Sequence, residues 1–502
     1  MNKEVQIKNS LIYVLPKTVT AIFPFFALAI YTRFLSTHDF GVFALATACA
    51  IFLMGVVNFG MIVGFERNFF EYSDERAQKE LLYSVLFFVL IMFIFIASFT
   101  YAWRDYLSML IIRSSEYGHL IFVLFCGTTL ASFHQYYLTY FRNEEKPKKF
   151  MIYTVIFSFL NVFFPIILIV FFHKGIMGLA WGQLIASLVI FLALSVRFLK
   201  KQSFSLNLIY LKDAFKISYP LTPRIFFGVI NSHINIYILS IINSVSGAGL
   251  FFIGQKFANA IFIFMTTLQN VFNPRIYKIM FSGSAGAGKE VGRYLTPFLF
   301  FSTACALIIS LFSEEVLLIF TSKEFHGAVG VLSVLSIYYA ILFFGKITPL
   351  QLIFKKKTFI AGMMTFFTIG LNVVIAIPLA KKFGVMGVAW ATLFVGILAS
   401  AVSFIIAQRF FEIEWEYRKV FSMFFVLFFS SVLLLIFFDF QMPYVFRLGF
   451  KFLFLALYCF LGVKMKILTR ENLSVIMGII TLKKNRDKSK SPNYISVEEI
   501  DI

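Results

Sequence analysis

The sequence predicts an all-α polytopic membrane protein of about 14 transmembrane helices: two parallel-oriented six-helix repeats plus two extra helices. Three observations carry that expectation: an excess of apolar residues, a series of apolar runs of spanning length, and an internal repeat. Of 502 residues, 60% are hydrophobic and 14% charged, with a mean hydropathy of +0.86. Soluble domains are about 45–50% apolar and about 25% charged. The balance excludes a soluble enzyme, a secreted disulfide scaffold and a disordered protein. The four cysteines, Cys49, Cys126, Cys305 and Cys459, lie in apolar runs with no C-x-x-C spacing, which argues against disulfides and zinc. The 70 phenylalanines are read as apolar filler, tolerated where lipid is the solvent.

A bilayer crossing takes about 20 mostly apolar residues. Runs of that kind fall near 10–33, 40–64, 81–102, 118–141, 150–172, 176–197, 217–242, 247–272, 294–313, 328–353, 359–380, 385–408, 420–438 and 444–463. The first follows Lys3 and Lys8, as a signal peptide would. Its length and the lack of a small-residue cleavage site make it the first span instead. The last two are less sharply defined, because the fourteenth contains Arg447 and Lys451.

Orientation follows from the basic residues, which concentrate on the cytoplasmic side. With both termini cytoplasmic, the inner segments hold 32 of the 45 Lys and Arg residues and the outer loops seven. Most of the net charge of +20 therefore has a topological cause and does not point to nucleic acid. Residues 464–482 mix apolar and basic positions, suiting the inner membrane surface. The tail from Lys483 is charged and polar, a composition that forms no core.

The repeat has an offset near 208. Gly175-Ile-Met-Gly178-Leu-Ala-Trp181 recurs as Gly384-Val-Met-Gly387-Val-Ala-Trp390, and Phe40-Gly41-Val42-Phe43 faces Ala248-Gly249-Leu250-Phe251. Arg67 faces Arg275, Lys79-Glu80 faces Lys289-Glu290, Leu160-Asn161-Val162 faces Leu371-Asn372-Val373, and Pro16-Lys17 faces Pro223-Arg224. Six helices per repeat is an even number, so both halves share one orientation, related by an axis along the membrane normal. The expected units are residues 1–205 and 206–412 for the two bundles, 413–463 for two added helices and 464–502 for a cytoplasmic tail.

At Tyr31-Thr-Arg33-Phe-Leu-Ser-Thr-His-Asp39-Phe-Gly41 and the two Gly-x-x-Gly-x-Ala-Trp segments, the chain resembles the polysaccharide flippases. These are the O-antigen and teichoic-acid exporter branch of the multidrug/oligosaccharidyl-lipid/polysaccharide exporter superfamily. The resemblance spans roughly residues 8–463. It implies a flippase of the bacterial inner membrane that moves undecaprenyl-pyrophosphate-linked oligosaccharide repeat units by alternating access. The implied partners are that lipid, membrane lipids and the polysaccharide polymerase or assembly machinery. Two rivals share the architecture: a lipid II-type peptidoglycan precursor flippase and a multidrug cation antiporter, which would need buried carboxylates to bind cations.

The spans hold six cations, Lys17, Arg224, Lys256, Lys346, Arg447 and Lys451, and no deep Asp or Glu. Each costs about 2.5–3.5 kcal/mol on insertion scales and normally faces a cavity. A cationic cavity wants an anion, which a pyrophosphate supplies. Lys17 and Arg224 each follow a proline at repeat-equivalent positions; they either face the bundle interior at a kink or snorkel to the inner interface. Arg224, Gly228, Asn231 and Asn235 share one helix face, as do Lys256, Asn259, Thr266 and Asn270. The expected substrate-binding set is Lys17, Arg224, Lys256 and Lys346 for the anion, with Asn231, Asn235, Asn259 and Asn270 for sugars. The asparagines equally suit helix–helix hydrogen bonds, and His233 is read as a packing residue. Arg447 and Lys451 suit headgroups or a groove for a lipid tail. Gly283-Ser-Ala-Gly-Ala-Gly288-Lys289-Glu290 nearly spells a phosphate-binding loop, but Glu290 replaces the magnesium-binding hydroxyl and a membrane helix precedes it in place of a strand. No catalytic site, metal site or cofactor is expected.

Overall fold

In lipid, a chain must satisfy its backbone hydrogen bonds internally, and a helix does so within one segment. The computed structural model describes residues 23–72, 74–200, 204–219, 222–355 and 357–469. Among them the regular elements are all helical. The N-terminal part of the first expected span, with Lys17, and the tail beyond residue 469 lie outside the described residues.

The first half contains α1 (Phe23–Phe34), α2 (Thr37–Asn58), α3 (Met61–Phe69), α4 (Glu75–Ala102), α5 (Arg104–Ile112), α6 (Gly118–Asn143), α7 (Pro147–Ile166) and α8 (Gly175–Leu199). After α9 (Leu208–Ser218) come α10 (Thr222–Ile242), α11 (Val245–Phe281), α12 (Ala287–Leu311), α13 (Ser313–Phe320), α14 (Val329–Phe354) and α15 (Thr358–Gln408). The last two are α16 (Tyr417–Asp439) and α17 (Tyr444–Lys464).

Eleven helices among the described residues are long and apolar enough to cross a membrane, with Phe23–Phe34 and Phe226–Ile242 as shorter apolar helices. The difference of three from the fourteen runs comes from the first and seventh, which correspond to the two shorter helices, and from the eleventh and twelfth, which are counted together in α15. The second run is split: Phe59 (φ 47°) and Gly60 (φ 70°) turn left-handed, and α3 restarts from Met61. The eleventh and twelfth runs both fall within α15 as two helices that meet at a kink at Gly384 (φ 57°, ψ −132°). α5, α9 and α13 are short helices that length-based reading of spans passes over. α9 is amphipathic: Ala214 and Ser218 are buried, Leu208 and Ile209 exposed.

The repeat motifs have structural roles. Ser36 caps α2 and Ser244 caps α11, each side chain accepting a backbone N–H three residues on. Gly175 (φ 54°) and Gly384 (φ 57°) both take the left-handed conformation, where a side chain is strained. The second glycine of each motif closes the turn by packing. A Cβ on Gly178 would press on Leu168 and Ile169, and one on Gly387 would collide with the Leu379 backbone. Thus Gly-x-x-Gly encodes a sharp reversal with close packing onto the preceding helix.

In the first half, α6 packs against α2, α4 and α8, and α7 lies on α8; in the second, α14 packs against α11, α12 and α15, and α10 lies on α15. The halves meet where α2 crosses α11 and α10. α16 rests on α12, and α17 covers α16 and α12.

Candidate substrate cavity

α11 carries Lys256 at the boundary between the halves, and a cavity of about 380 Å³ opens beside it. One wall is α1, with Phe25, Ala27, Leu28 and Tyr31; α2 adds Phe40 and Phe43. α7 contributes Phe157, Ser158 and Asn161, α8 contributes Leu179 and Gln183, and α11 contributes Phe252, Lys256, Asn259 and Ile263. Volume and lining suit a ligand pocket, mostly apolar with a few convergent polar groups. Tyr31 ties α1 to α7 by donating to the Val162 carbonyl at 3.5 Å.

Lys256 is exposed to this space, with Nζ 4.9 Å from the centre of the Phe252 ring. Lys346, half-buried on α14, places Nζ 4.2 Å from the centre of the Phe262 ring. Among the described residues neither lysine forms a salt bridge. A cation–π contact returns about 0.5–2 kcal/mol, less than the roughly 2.5–3.5 kcal/mol that a membrane-embedded lysine costs. The charge is incompletely compensated.

Of the other expected site residues, Asn259 lines the cavity with Lys256. Asn231 is half-buried one turn before Asn235 on α10. Asn235 lies elsewhere: its amide donates to Thr392 Oγ1 at 2.9 Å and accepts from Asn372 Nδ2 at 2.7 Å, all three buried. Arg224 and Asn270 lie on α10 and α11, their side chains outside the described set. His233 contacts the Val229 carbonyl through Nδ1 at 3.0 Å. The near-match to a phosphate loop spans the turn between α11 and α12, with Gly283 and Gly286 at positive φ, and the first turn of α12.

Arg447 and Lys451 do not stand uncompensated. Lys451, 2% exposed, lies 2.6 Å from Glu315 and 3.3 Å from Glu314, and Arg447 lies 2.7 Å from Glu314. The four charges cancel and fasten α17 to α13. The acids lie more than 130 residues away in sequence, at a helix start, so span-by-span counting left the cations without partners.

A model of the polysaccharide biosynthesis protein family matches residues 7–280, more than half of the chain. The chain belongs to this family. Its fold is similar to that of the lipid II flippase MurJ in an inward closed conformation (TM-score 0.70, 16% identity, 92% of this chain and 100% of that one). It is also similar to an inward-facing multidrug resistance MATE transporter of the MOP superfamily (TM-score 0.61, 14% identity, 82% and 98%). A third similar structure is a MOP superfamily transporter from Pyrococcus furiosus described as having a binding pocket of reversed polarity (TM-score 0.53, 17% identity, 82% and 98%). No curated protein sequence matches. These neighbours are membrane transporters and flippases, and the chain is a multi-pass membrane protein with their fold.

For this polysaccharide biosynthesis family member, the cavity also contains polar residues that reasoning from charge missed: Tyr31, Ser158, Asn161 and Gln183. Two had a signal. Asn161 sits in a repeat match, and Gln183 follows Trp181 of the Gly-x-x-Gly-x-Ala-Trp motif by two residues. Uncharged residues in apolar runs gave no reason to single them out without the cavity.

Proposed function

We propose that this family member is a flippase of the bacterial inner membrane, with both termini cytoplasmic. It translocates undecaprenyl-pyrophosphate-linked oligosaccharide repeat units by alternating access between the bundles 1–205 and 206–412. The observation that carries the reading is Lys256, a cation without a carboxylate partner among the described residues, facing a cavity that also offers amide groups. A pyrophosphate provides the missing anion. Lys17, Arg224 and Lys346 complete the anionic site in this reading, while Asn231, Asn235, Asn259 and Asn270 serve sugars or the packing between helices. The helices in 413–463 act as an added layer clamped through Glu314 and Glu315. The absence of a deep carboxylate from the expected spans speaks against a cation antiporter. A lipid II-type flippase is the second reading, favoured by the fold similarity to MurJ.

Proteoliposomes carrying lipid-linked oligosaccharide from cells that make a surface polysaccharide test the reading, with transbilayer movement followed by an impermeant glycosidase. Lys256→Ala is expected to slow movement about 10- to 100-fold, the loss of one charge-assisted contact of about 1.5–3 kcal/mol. Lys256→Arg retains partial activity because the charge remains, and Lys256→Glu is worse than Ala. Wild-type movement by folded Lys256→Ala protein overturns the anion-binding role. Movement of lipid II in preference to the oligosaccharide lipid selects the second reading.

A further inference from the structure

We infer that the cavity enclosed by α1, α7, α8 and α11 is a sugar subsite built on the first-half side of the boundary, with α11 as its second-half wall and with Asn161 and Gln183 as its hydrogen-bonding residues. The inference rests on the proposed flippase function and goes beyond it by assigning recognition of the glycan to amides of the first half.

The argument is a comparison of the two repeats. Asn161 is the counterpart of Asn372, and Gln183, two residues after the motif tryptophan, is the counterpart of Thr392. In the second half this pair is bridged by Asn235, within 2.7 Å of Asn372 and 2.9 Å of Thr392. At the offsets of 207 and 208 that relate the first helices of the halves, the counterpart of Asn235 is Leu28 or Ala27. Neither can hydrogen-bond. The bridging amide is therefore missing from the first half, and a cavity of about 380 Å³ lies there. Among the described residues Ser158, Gln183 and Asn259 have no side-chain hydrogen-bond partner, and Asn161 only donates back to the Phe157 carbonyl at 3.2 Å.

The lining selects the ligand class. At about 30 Å³ per water, the space holds roughly a dozen waters, far more than one ion needs. Lys256 on its wall repels a cation. A lipid tail gains nothing from two hydroxyls and three carboxamides. A sugar ring presents hydroxyls that both donate and accept, as Asn and Gln amides do, and C–H faces that lie against rings such as Phe40, Phe157 and Phe252. With the pyrophosphate at Lys256, the first sugar enters this pocket.

The test measures binding of two probes to the full chain in nanodiscs: undecaprenyl pyrophosphate, and the same lipid bearing one hexose. Gln183→Leu and Asn161→Leu are expected to weaken the hexose-bearing lipid about tenfold each, the loss of one or two hydrogen bonds, and to leave the sugar-free lipid unchanged. The pair Ala27→Asn with Gln183→Thr installs the second-half residues around Asn161. It is expected to abolish the difference between the probes. Lys256→Ala weakens both. If the folded Leu variants bind both probes as wild type does, or weaken both equally, the sugar subsite is wrong while the anion site stands. If wild type binds neither probe, the flippase reading fails and this inference falls with it.

Discussion

The crossing of α2 and α11, where the halves meet backbone to backbone at two glycines, is expected to close one end of the bundle, and a single methyl group at either glycine should pry it open. Gly41 on α2 sits against the Val245 backbone, and Gly249 on α11 sits against the Thr37 and Gly41 backbones. The two glycines are repeat counterparts, and so are Val245 and Thr37, whose carbonyls they meet, so the contact is reciprocal about the pseudo-two-fold. A Cβ on Gly41 would stand 2.7 Å from the Val245 carbonyl carbon, and one on Gly249 would stand 2.8 Å from the Gly41 nitrogen. Ordinary contacts between such atoms are about 3.5–4.0 Å, so the helices must part by about 1 Å. Backbone atoms cannot swing aside as a side chain would. Overpacking costs about 1–3 kcal/mol, which favours the open end by a factor of about 5 to 150. The reporter is Ala48→Cys in a chain whose native cysteines are replaced by Ala. Ala48 is buried on the α2 stripe between Gly41 and the Phe226 contact made by Gly55. In reconstituted vesicles, Gly249→Ala and Gly41→Ala should label at least about fivefold faster with an impermeant maleimide applied at that end. Gly370→Ala, whose Cβ meets nothing within 4 Å, serves as the matched control and should label as the parent does. Parental labelling in folded Gly249→Ala would refute the gate.

The clamp on α17 makes a second prediction. Glu315→Ala leaves the buried Lys451 and Arg447 sharing Glu314 alone, one positive charge in excess, and should destabilise the protein by up to about 3–5 kcal/mol, whereas Glu315→Gln with Lys451→Met should recover most of that loss; melting temperature in detergent checks both. Gly384→Ala forces a side chain into φ 57°, ψ −132° and should cost about 1–3 kcal/mol, read by the same melt, against a smaller effect at Gly370. Replacing Ser36 by Ala removes the cap on α2 and its exchange with Asp39; about 0.5–2 kcal/mol should be lost, seen as faster amide exchange over residues 37–40.

What could be read from the sequence follows from what acts locally. An apolar run of spanning length must be helical because lipid offers its backbone no partner, so the positions of the helices were legible. Helix breaks were less so. Phe59-Gly60 sits inside an apolar run and looks like filler until Gly60 is seen at φ 70°. Gly384 lies within a motif already noticed as a repeat, yet repetition alone does not say that both copies demand positive φ. The site divided in the same way. Lys256 is legible because a charge in an apolar helix is costly wherever it stands. Asn235 and Asn259 looked equivalent, since both lie on polar stripes; α15 supplies Asn372 and Thr392 to one, while the other faces a cavity and has no side-chain hydrogen-bond partner among the described residues.

That divergence bears on how two halves of similar fold can do different work. Where both repeats keep a feature, it serves the shared architecture: the serine caps, the positive-φ glycines and the reciprocal glycine crossing are needed twice because the bundle is built twice. Where the repeats differ, the fold does not require the residue, and a difference that leaves polar side chains facing a cavity is not explained by packing. Leucine or alanine opposite Asn161 and Gln183 costs the first half a buried amide bridge that the second half shows to be compatible with this fold. A bridge of that kind contributes about 0.5–1.5 kcal/mol per hydrogen bond, so its omission has to be offset elsewhere. A ligand that satisfies the same amides, and brings an anion to Lys256, offsets it when bound.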